Sequence, residues 1–436
     1  MANTYLTRTV ATGGDRTKAT LSVWVKKSSN AEQFLFYNHE SNTTNFRIRF
    51  NPEVLQVETL SGSSVVGSLT TNRKFTDPSG FYHIVVAIDS TSGTADDRMK
   101  IYVNGVQETS FSARTNPPQN QNMAFNEQDH IQYIGSQVTA NYFNGIMSHY
   151  YWIDGTAYTP STFGSTDATT GEWKINTSPS ITMGTNGFTI LKDGNTITDQ
   201  SSNSNDFSLG GGTLTKTEDS PSNVFATLNP LFYQATSEFS SITNGNTTFT
   251  SDSGTTFNTL VSTIGMSSGK YYFEVKRIAE RGLVGITDVT RTKLNTNSTY
   301  YPGDTDNSVD WGYYSDDGKV YNNGNPTGSG ATWGNGDIVG CAVDLDNRKI
   351  YWHKNGSYIN SGNPSTGAYG QTISSDVTYY FAVAGYTSTT FNQNFGNGYF
   401  GTTAVSSAGS NASGIGIFEY NVPTGYSALS TKGLNL

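Results

Sequence analysis

The 436-residue chain has a single cysteine, Cys341, so neither a disulfide framework nor a cysteine-based zinc site is available to it. Charge is scarce: 14 % of residues are Asp, Glu, Lys or Arg, with a net charge of −9. No basic stripe interrupts that acidic balance, which argues against a nucleic-acid partner because phosphate backbones are gripped by clustered Lys and Arg. No apolar run approaches the roughly 18 residues that a membrane-spanning helix requires. The opening MANTYLTRTVATGG lacks the charged-then-apolar layout of a secretory signal. Leu, Ala, Glu and Lys are sparse and heptads are absent, which excludes a coiled coil or helical bundle. Disorder is excluded by the 13 % aromatic content.

What the sequence does contain is 46 Gly, 26 Tyr and 23 Phe among many Ser, Thr and Asn residues. Short runs alternate with a period of two. Leu21, Val23 and Val25 share one face; Phe46, Ile48 and Phe50 oppose Arg47 and Arg49; Tyr82, Ile84, Val86 and Ile88 align. YYFEVKR, DIVGCAVDL and YYFAVAGY repeat the pattern later. Such runs predict antiparallel strands with one wet face. They recur every 8–15 residues or so between Gly, Asn and Asp turns, the rhythm of a β-sandwich. The fold class is all-β: two antiparallel sandwiches in tandem. Gly210-Gly211-Gly212 and the Pro-containing stretch to Asn229-Pro230 break the strand pattern, which sets the domains at 1–228 and 229–436. Residues 160–228 are irregular and go with the first domain. Two segments, Arg98-Met99-Lys100-Ile101-Tyr102 into Asn104-Gly105 and Arg348-Lys349-Ile350-Tyr351 into Asn355-Gly356, repeat one hairpin signal. Asn-Gly suits a type I′ turn, whose central residues both take positive φ.

The order Leu21-Ser22-Val23-Trp24-Val25-Lys26, Phe81-Tyr82-His83, Lys100-Ile101-Tyr102-Val103-Asn104-Gly105, Tyr133-Ile134-Gly135 and Phe143-Asn144-Gly145 resembles the laminin-G-like, concanavalin-type jelly roll. Family members usually carry Trp-His where Tyr82-His83 stands. The second half resembles a SPRY domain, through Gly269-Lys270-Tyr271-Tyr272-Phe273-Glu274-Val275, Val284-Gly285-Ile286, Trp311-Gly312-Tyr313-Tyr314, Gly336 to Leu345 and Tyr380-Phe381-Ala382-Val383-Ala384. Trp152 to Pro160, Asn223 to Pro230 and Tyr420 to Tyr426 add a third likeness, to virion structural proteins of tailed bacteriophages that join these two units. That resemblance implies a virion location, partners among the tail, fibre or capsid proteins, a homo-oligomeric state, and contact with a host glycan or protein. Assembly in a cytoplasm followed by lysis would also account for the missing signal.

Chemistry-bearing patterns are few. Gly265-Met266-Ser267-Ser268-Gly269 spells Gly-x-Ser-x-Gly but precedes a strand, whereas a nucleophile elbow follows one and opens a helix. Gly396-Asn397-Gly398-Tyr399-Phe400-Gly401 spells a dinucleotide fingerprint with no helix behind it to meet a phosphate. Glycan hydrolysis needs two facing carboxylates. Glu127 and Asp129 share strand parity, but no third carboxylate extends the set. Asp304, Asp306 and Asp310 could offer calcium oxygens at alternate positions, yet solvated turn carboxylates explain them as well. The five His residues show no ligand spacing. The expectation is therefore a non-enzymatic protein with no cofactor, no catalytic residue and no metal site.

Aromatic loops are the better functional lead, because Tyr and Trp give rigid contact area at low entropic cost. Tyr300 and Tyr301 beside Pro302, and Trp152 in Tyr150-Tyr151-Trp152, are the candidate ligand-binding residues. Strand parity requires consecutive members of the latter trio to face opposite sides. The reading is a virion surface adhesin; a capsid decoration protein and a glycan-degrading enzyme are the alternatives.

Overall fold

The computed structural model describes residues 3–192, 196–233, 241–289, 300–305, 308–328 and 331–435. No α-helix occurs among them; short 3₁₀ turns are the helical content. The chain divides into two compact units, residues 1–216 and 217–436.

In the first unit an eight-stranded sheet runs in the spatial order Phe111–Thr115, Ser64–Lys74, Val54–Ser61, Asn45–Asn51, Gln33–His39, Ile131–Ile134, Tyr5–Thr9 and Ser208–Gly211. A six-stranded sheet runs Phe188–Ile190, Gly145–Asp154, Lys18–Lys27, Tyr82–Asp89, Met99–Val103 and Val106–Gln107. Inward-facing residues of both, such as Leu21, Val23, Ile48, Phe50, Ile84 and Val86, build one core. The alternation in Asn45–Asn51 is as the sequence predicts, with Phe46, Ile48 and Phe50 buried and Arg47 and Arg49 partly exposed.

The expected wet face is missing from the central strands. Lys18–Lys27 is buried on both sides from Ala19 onward, and Tyr82–Asp89 from His83 to Ile88. Residues 155–183 cover the outer face of this sheet. Their Phe163, Tyr158, Ile181 and Met183 close over Val85, Tyr102, Tyr151 and Ile153. The irregular stretch is thus a lid on a sheet, which period-two reasoning cannot detect because a loop has no period.

In the second unit all described strands but the Tyr399–Phe400 and Thr403–Ala404 hairpin form one continuous ladder that folds over itself. Lys270–Asp288 pairs along its first half with Ile338–Asp344 and along its second with Trp311–Tyr314, while Tyr379–Asn394 follows it on the other side. Register shifts between Arg277 and Arg281, where Glu280 has φ 53°, bend the strand so that it serves both layers. Val275, Ile286, Cys341, Trp352, Phe381 and Phe391 lie in the core between them. The outer face of Ile338–Asp344 and Lys349–Lys354 is covered too, by Phe418, Val422 and Tyr426 of the C-terminal segment. Residues 217–228, placed in the first domain by the sequence boundary, belong to this second unit. Ala226 donates its N–H to Leu429, Thr227 to the Thr263 hydroxyl, and Phe225 bridges to Ser430.

The two Asn-Gly turns make the same connection in both units. Asn104 and Gly105 have φ 48° and 81°, Asn355 and Gly356 48° and 83°. Each Asn side chain accepts a backbone N–H from the neighbouring strand, of His83 at 2.8 Å and of Ile338 at 2.8 Å. Each Asn N–H donates back to that strand, to His83 and Ile338 carbonyls.

Candidate binding surface

Of the three aromatic candidates, two are interior. Trp152 is fully buried (0 % exposed), with its ring 4.5 Å from Phe36 and 5.4 Å from Phe125, and its Nε1–H donates to Asn126 Oδ1 at 2.9 Å. Alternation along Gly145–Asp154 sends Tyr150 and Trp152 into the core and Tyr151 to the other face, where residues 155–183 enclose it. None of the trio reaches solvent, so Trp152 is corrected to a core residue. Tyr300 is 1 % exposed; its hydroxyl meets Thr287 and Asp310, and its carbonyl accepts the Thr259 hydroxyl at 2.6 Å. It fastens its loop to the sandwich and offers no face to a ligand.

Tyr301 is half-buried at the surface and brings together residues the sequence did not single out. A register row joins Phe257 to Tyr386 and Tyr386 to Arg281 across three strands. Phe257 lies 4.8 Å from the Tyr301 ring, 5.1 Å from Tyr386 and 6.3 Å from Tyr314; Tyr321 is 6.1 Å beyond Tyr314. All five rings are half-buried. Strand parity explains Tyr314: its neighbour Tyr313 fills the core, so Tyr314 must face out. That parity was readable in advance. The meeting of five rings was not, because the segments lie far apart in the chain.

Charge rims the rings. Arg281 lies 4.4 Å over Tyr386 and pairs with Asp316 at 3.1 Å. Tyr314 donates to Asp316 at 3.2 Å and Tyr321 to Asp317 at 2.7 Å. Burial first, then the Asp316 charge, pushes the Tyr314 phenol up to about 12. Burial and the Asp317 hydrogen bond raise that of Tyr321, and burial and Asp304 that of Tyr301. All three remain protonated hydroxyls at neutral pH. The patch therefore offers aromatic faces, hydroxyls and carboxylates, the groups that stack on sugar rings or hold a peptide's side chains.

Groups that look catalytic are otherwise engaged. Ser22 Oγ lies 2.9 Å from His83 Nε2, but His83 Nδ1 accepts the Trp173 indole N–H at 2.9 Å. Nε2 therefore carries the proton and points it at the serine, the reverse of a general base. Burial pushes His83 down to about 3. Glu127 is paired with Arg16 at 2.7 Å, and Asp129 sits in a left-handed turn. Met266 bridges to Tyr379 ahead of the strand Lys270–Asp288, and a short hairpin follows Gly398. Asp310 is bound by Tyr300 and by the Asp288 N–H, and Asp304 by the Thr305 N–H. Asp306 lies outside the described residues. Among the described residues no group of three His, Cys, Asp or Glu could hold a metal ion.

Residues 2–161 match the family described as the concanavalin A-like lectin/glucanases superfamily, in its laminin-G form, and residues 270–363 match the SPRY domain. The chain joins a laminin-G-like, concanavalin-like domain to a SPRY domain, both all-β. It is similar to a Ran-binding proteins 9/10 homolog of Drosophila melanogaster, 36 % identical over 91 residues, 21 % of this chain and 9 % of that protein. Ran-binding protein 9 of Homo sapiens is 36 % identical over 89 residues, 20 % of this chain and 12 % of that one. The chain thus spans about a tenth of the length of these curated relatives. Among solved structures, the SPRY domain of human HERC1 is 21 % identical, covering 38 % of this chain and 96 % of that one with a TM-score of 0.28.

Proposed function

We propose that this chain is a non-enzymatic adhesion protein of a tailed-phage virion, and that its SPRY unit contacts a host-surface glycan or protein through the Tyr301 patch. The observation that carries the binding reading is the row of five half-buried rings edged by Arg281, Asp316 and Asp317. Aromatic rings held by their neighbours lose little entropy on binding, so such a row suits recognition. The virion setting rests on the likeness of Trp152–Pro160 and Tyr420–Tyr426 to phage structural proteins. The Ran-binding names belong to relatives that match only about a fifth of this chain; they favour a protein partner over a glycan without naming one.

Two measurements test this reading. Purified full chain is titrated against a panel of bacterial surface polysaccharides and surface proteins. Saturable binding that weakens at least tenfold in Tyr301→Ala supports the reading, and binding that ignores the substitution refutes the site. Antibody labelling of intact particles tests the setting: tail or fibre labelling supports the adhesin, labelling that follows capsid symmetry supports the decoration alternative, and its absence from particles overturns the virion claim.

A further inference from the structure

We propose that the C-terminal segment from Ile415 to Leu429 is a detachable strap, latched across the outer face of the SPRY sheet by the buried carboxyl group of Glu274. The segment is irregular except at Ile417, which bridges to Asn397, and at Ser427–Ala428, which pair in parallel with Tyr271–Tyr272. Its apolar side chains Phe418, Val422 and Tyr426 join Tyr272, Ala342 and Tyr351 in a cluster separate from the main core, which the segment enters at its last residue, Leu429. Lifting residues 415–428 while Leu429 stays seated therefore leaves the sandwich interior closed.

Glu274, fully buried on Lys270–Asp288, is the catch. Its Oε2 accepts the Glu419 N–H at 2.9 Å and its Oε1 the Tyr420 N–H at 2.8 Å. Tyr272 Oη–H donates to Oε1 at 2.9 Å, and Asn394 Nδ2 approaches Oε2 at 3.4 Å while holding the Ile417 carbonyl at 2.9 Å. Behind Tyr272 stands His353, 2.6 Å away through Nε2. His353 Nδ1 accepts the Gly356 N–H at 3.0 Å, so Nε2 bears the proton and donates to Tyr272. Donation runs from His353 through Tyr272 into Glu274, which also receives the strap's Glu419 and Tyr420 N–H groups.

The closed strap also buries polar groups poorly. The hydroxyls of Tyr351, Tyr358 and Tyr426 are enclosed without a hydrogen-bond partner among the described residues. Each such orphan costs free energy that opening returns, since water then reaches it. A segment with little regular pairing over an under-satisfied polar layer opens at a lower free energy than the sandwich core beneath it.

The facing titratable groups set the pH response: Tyr272, His353, Tyr358, Cys341, Glu419 and Tyr420 surround Glu274. Burial, opposed by the two backbone donors, pushes Glu274 from 4.5 up to about 7, and burial pushes His353 from 6.5 down to about 3. From pH 4.5 to 6.5 the closed form keeps a proton on Glu274 and the open form keeps one on His353, so the demands cancel and the hold is flat. Between pH 4.5 and about 3 the open form binds one proton more, and opening gains about tenfold per pH unit as pH falls. Between 6.5 and 7 the closed form holds the extra proton, and the strap loosens slightly as pH rises.

Hydrogen exchange followed by mass spectrometry on the full chain tests the strap. At pH 7, peptides within 415–429 are expected to exchange at least tenfold faster than those of the Tyr379–Asn394 strand; equal protection overturns the proposal. In Glu274→Gln, which sets an amide N–H₂ against the strap donors, exchange within 415–429 should rise a further tenfold with Tyr379–Asn394 unchanged. A uniform rise, or none, overturns it. Tyr426→Phe separates a strap from ordinary packing. Removing an orphaned hydroxyl should slow exchange of the strap by about fivefold, whereas faster exchange contradicts the polar-layer argument.

Discussion

At the residue scale, the second unit's buried acid and histidine have a counterpart in the first unit's Lys27. Its ammonium is buried, donates to the Phe75 carbonyl at 2.8 Å and the Pro52 carbonyl at 3.3 Å, and lies 4.2 Å over Phe50. Burial, only partly offset by Glu53, pushes it from 10.5 down to about 8. The folded state binds this proton more weakly than the unfolded one. Its penalty is therefore full below pH 8 and is relieved as pH rises toward 10.5. Chemical denaturation of the chain should show the first unit gaining stability between pH 8 and 10, and Lys27→Met should flatten that gain. A loss of stability over that window in the wild type would contradict the assignment. Trp152 supplies a second test. Trp152→Phe strips the donor from Asn126 Oδ1 and opens space beside Phe36, so the first unit should lose about 2–4 kcal/mol. Glycan or protein binding through the Tyr301 patch should be untouched.

At the element scale, the strands were legible and their coverings were not. Leu21, Val23 and Val25 announce a strand because side chains alternate about its axis, and that geometry is local. Phe163 over Val85, or Phe418 over Tyr272, is a meeting of an irregular segment with a distant sheet, and no local periodicity encodes it. The Asn-Gly turns lie between these extremes. The dipeptide predicts the positive φ values, while the side-chain bonds from Asn104 to His83 and from Asn355 to Ile338 emerge only from the paired strands. Both turns also receive a covering ring. A Cβ on Gly105 would lie 2.5 Å from Trp173, and one on Gly356 2.8 Å from Tyr420. Gly105→Ala should cost the first unit about 1–3 kcal/mol through left-handed strain and displacement of Trp173, read as a lowered denaturation midpoint. An unchanged midpoint would show that Trp173 moves freely and that the 155–183 covering is loose.

At the scale of the whole molecule, the chain combines two β-sandwich domains that place their candidate aromatic residues differently. The first encloses its candidate, Trp152. The second displays Tyr301 within a row of rings assembled from Phe257, Tyr314, Tyr321 and Tyr386. Sequence patterning found one member of that row because Tyr301 sits in a recognisable aromatic loop. It could not find the other four as a group, since their proximity depends on strand order. The sparse charge fits this division of labour: carboxylates such as Asp316 and Asp317 act as acceptors for ring hydroxyls at the patch. The most direct measurement is a titration of the full chain and its Tyr301→Ala variant against bacterial surface polysaccharides and surface proteins, with Trp152→Phe as the folding control. Saturable binding by the wild type and Trp152→Phe, weakened at least tenfold in Tyr301→Ala, is the expected result. Equal binding by all three proteins, or shortening of a polysaccharide in place of binding, would contradict the account.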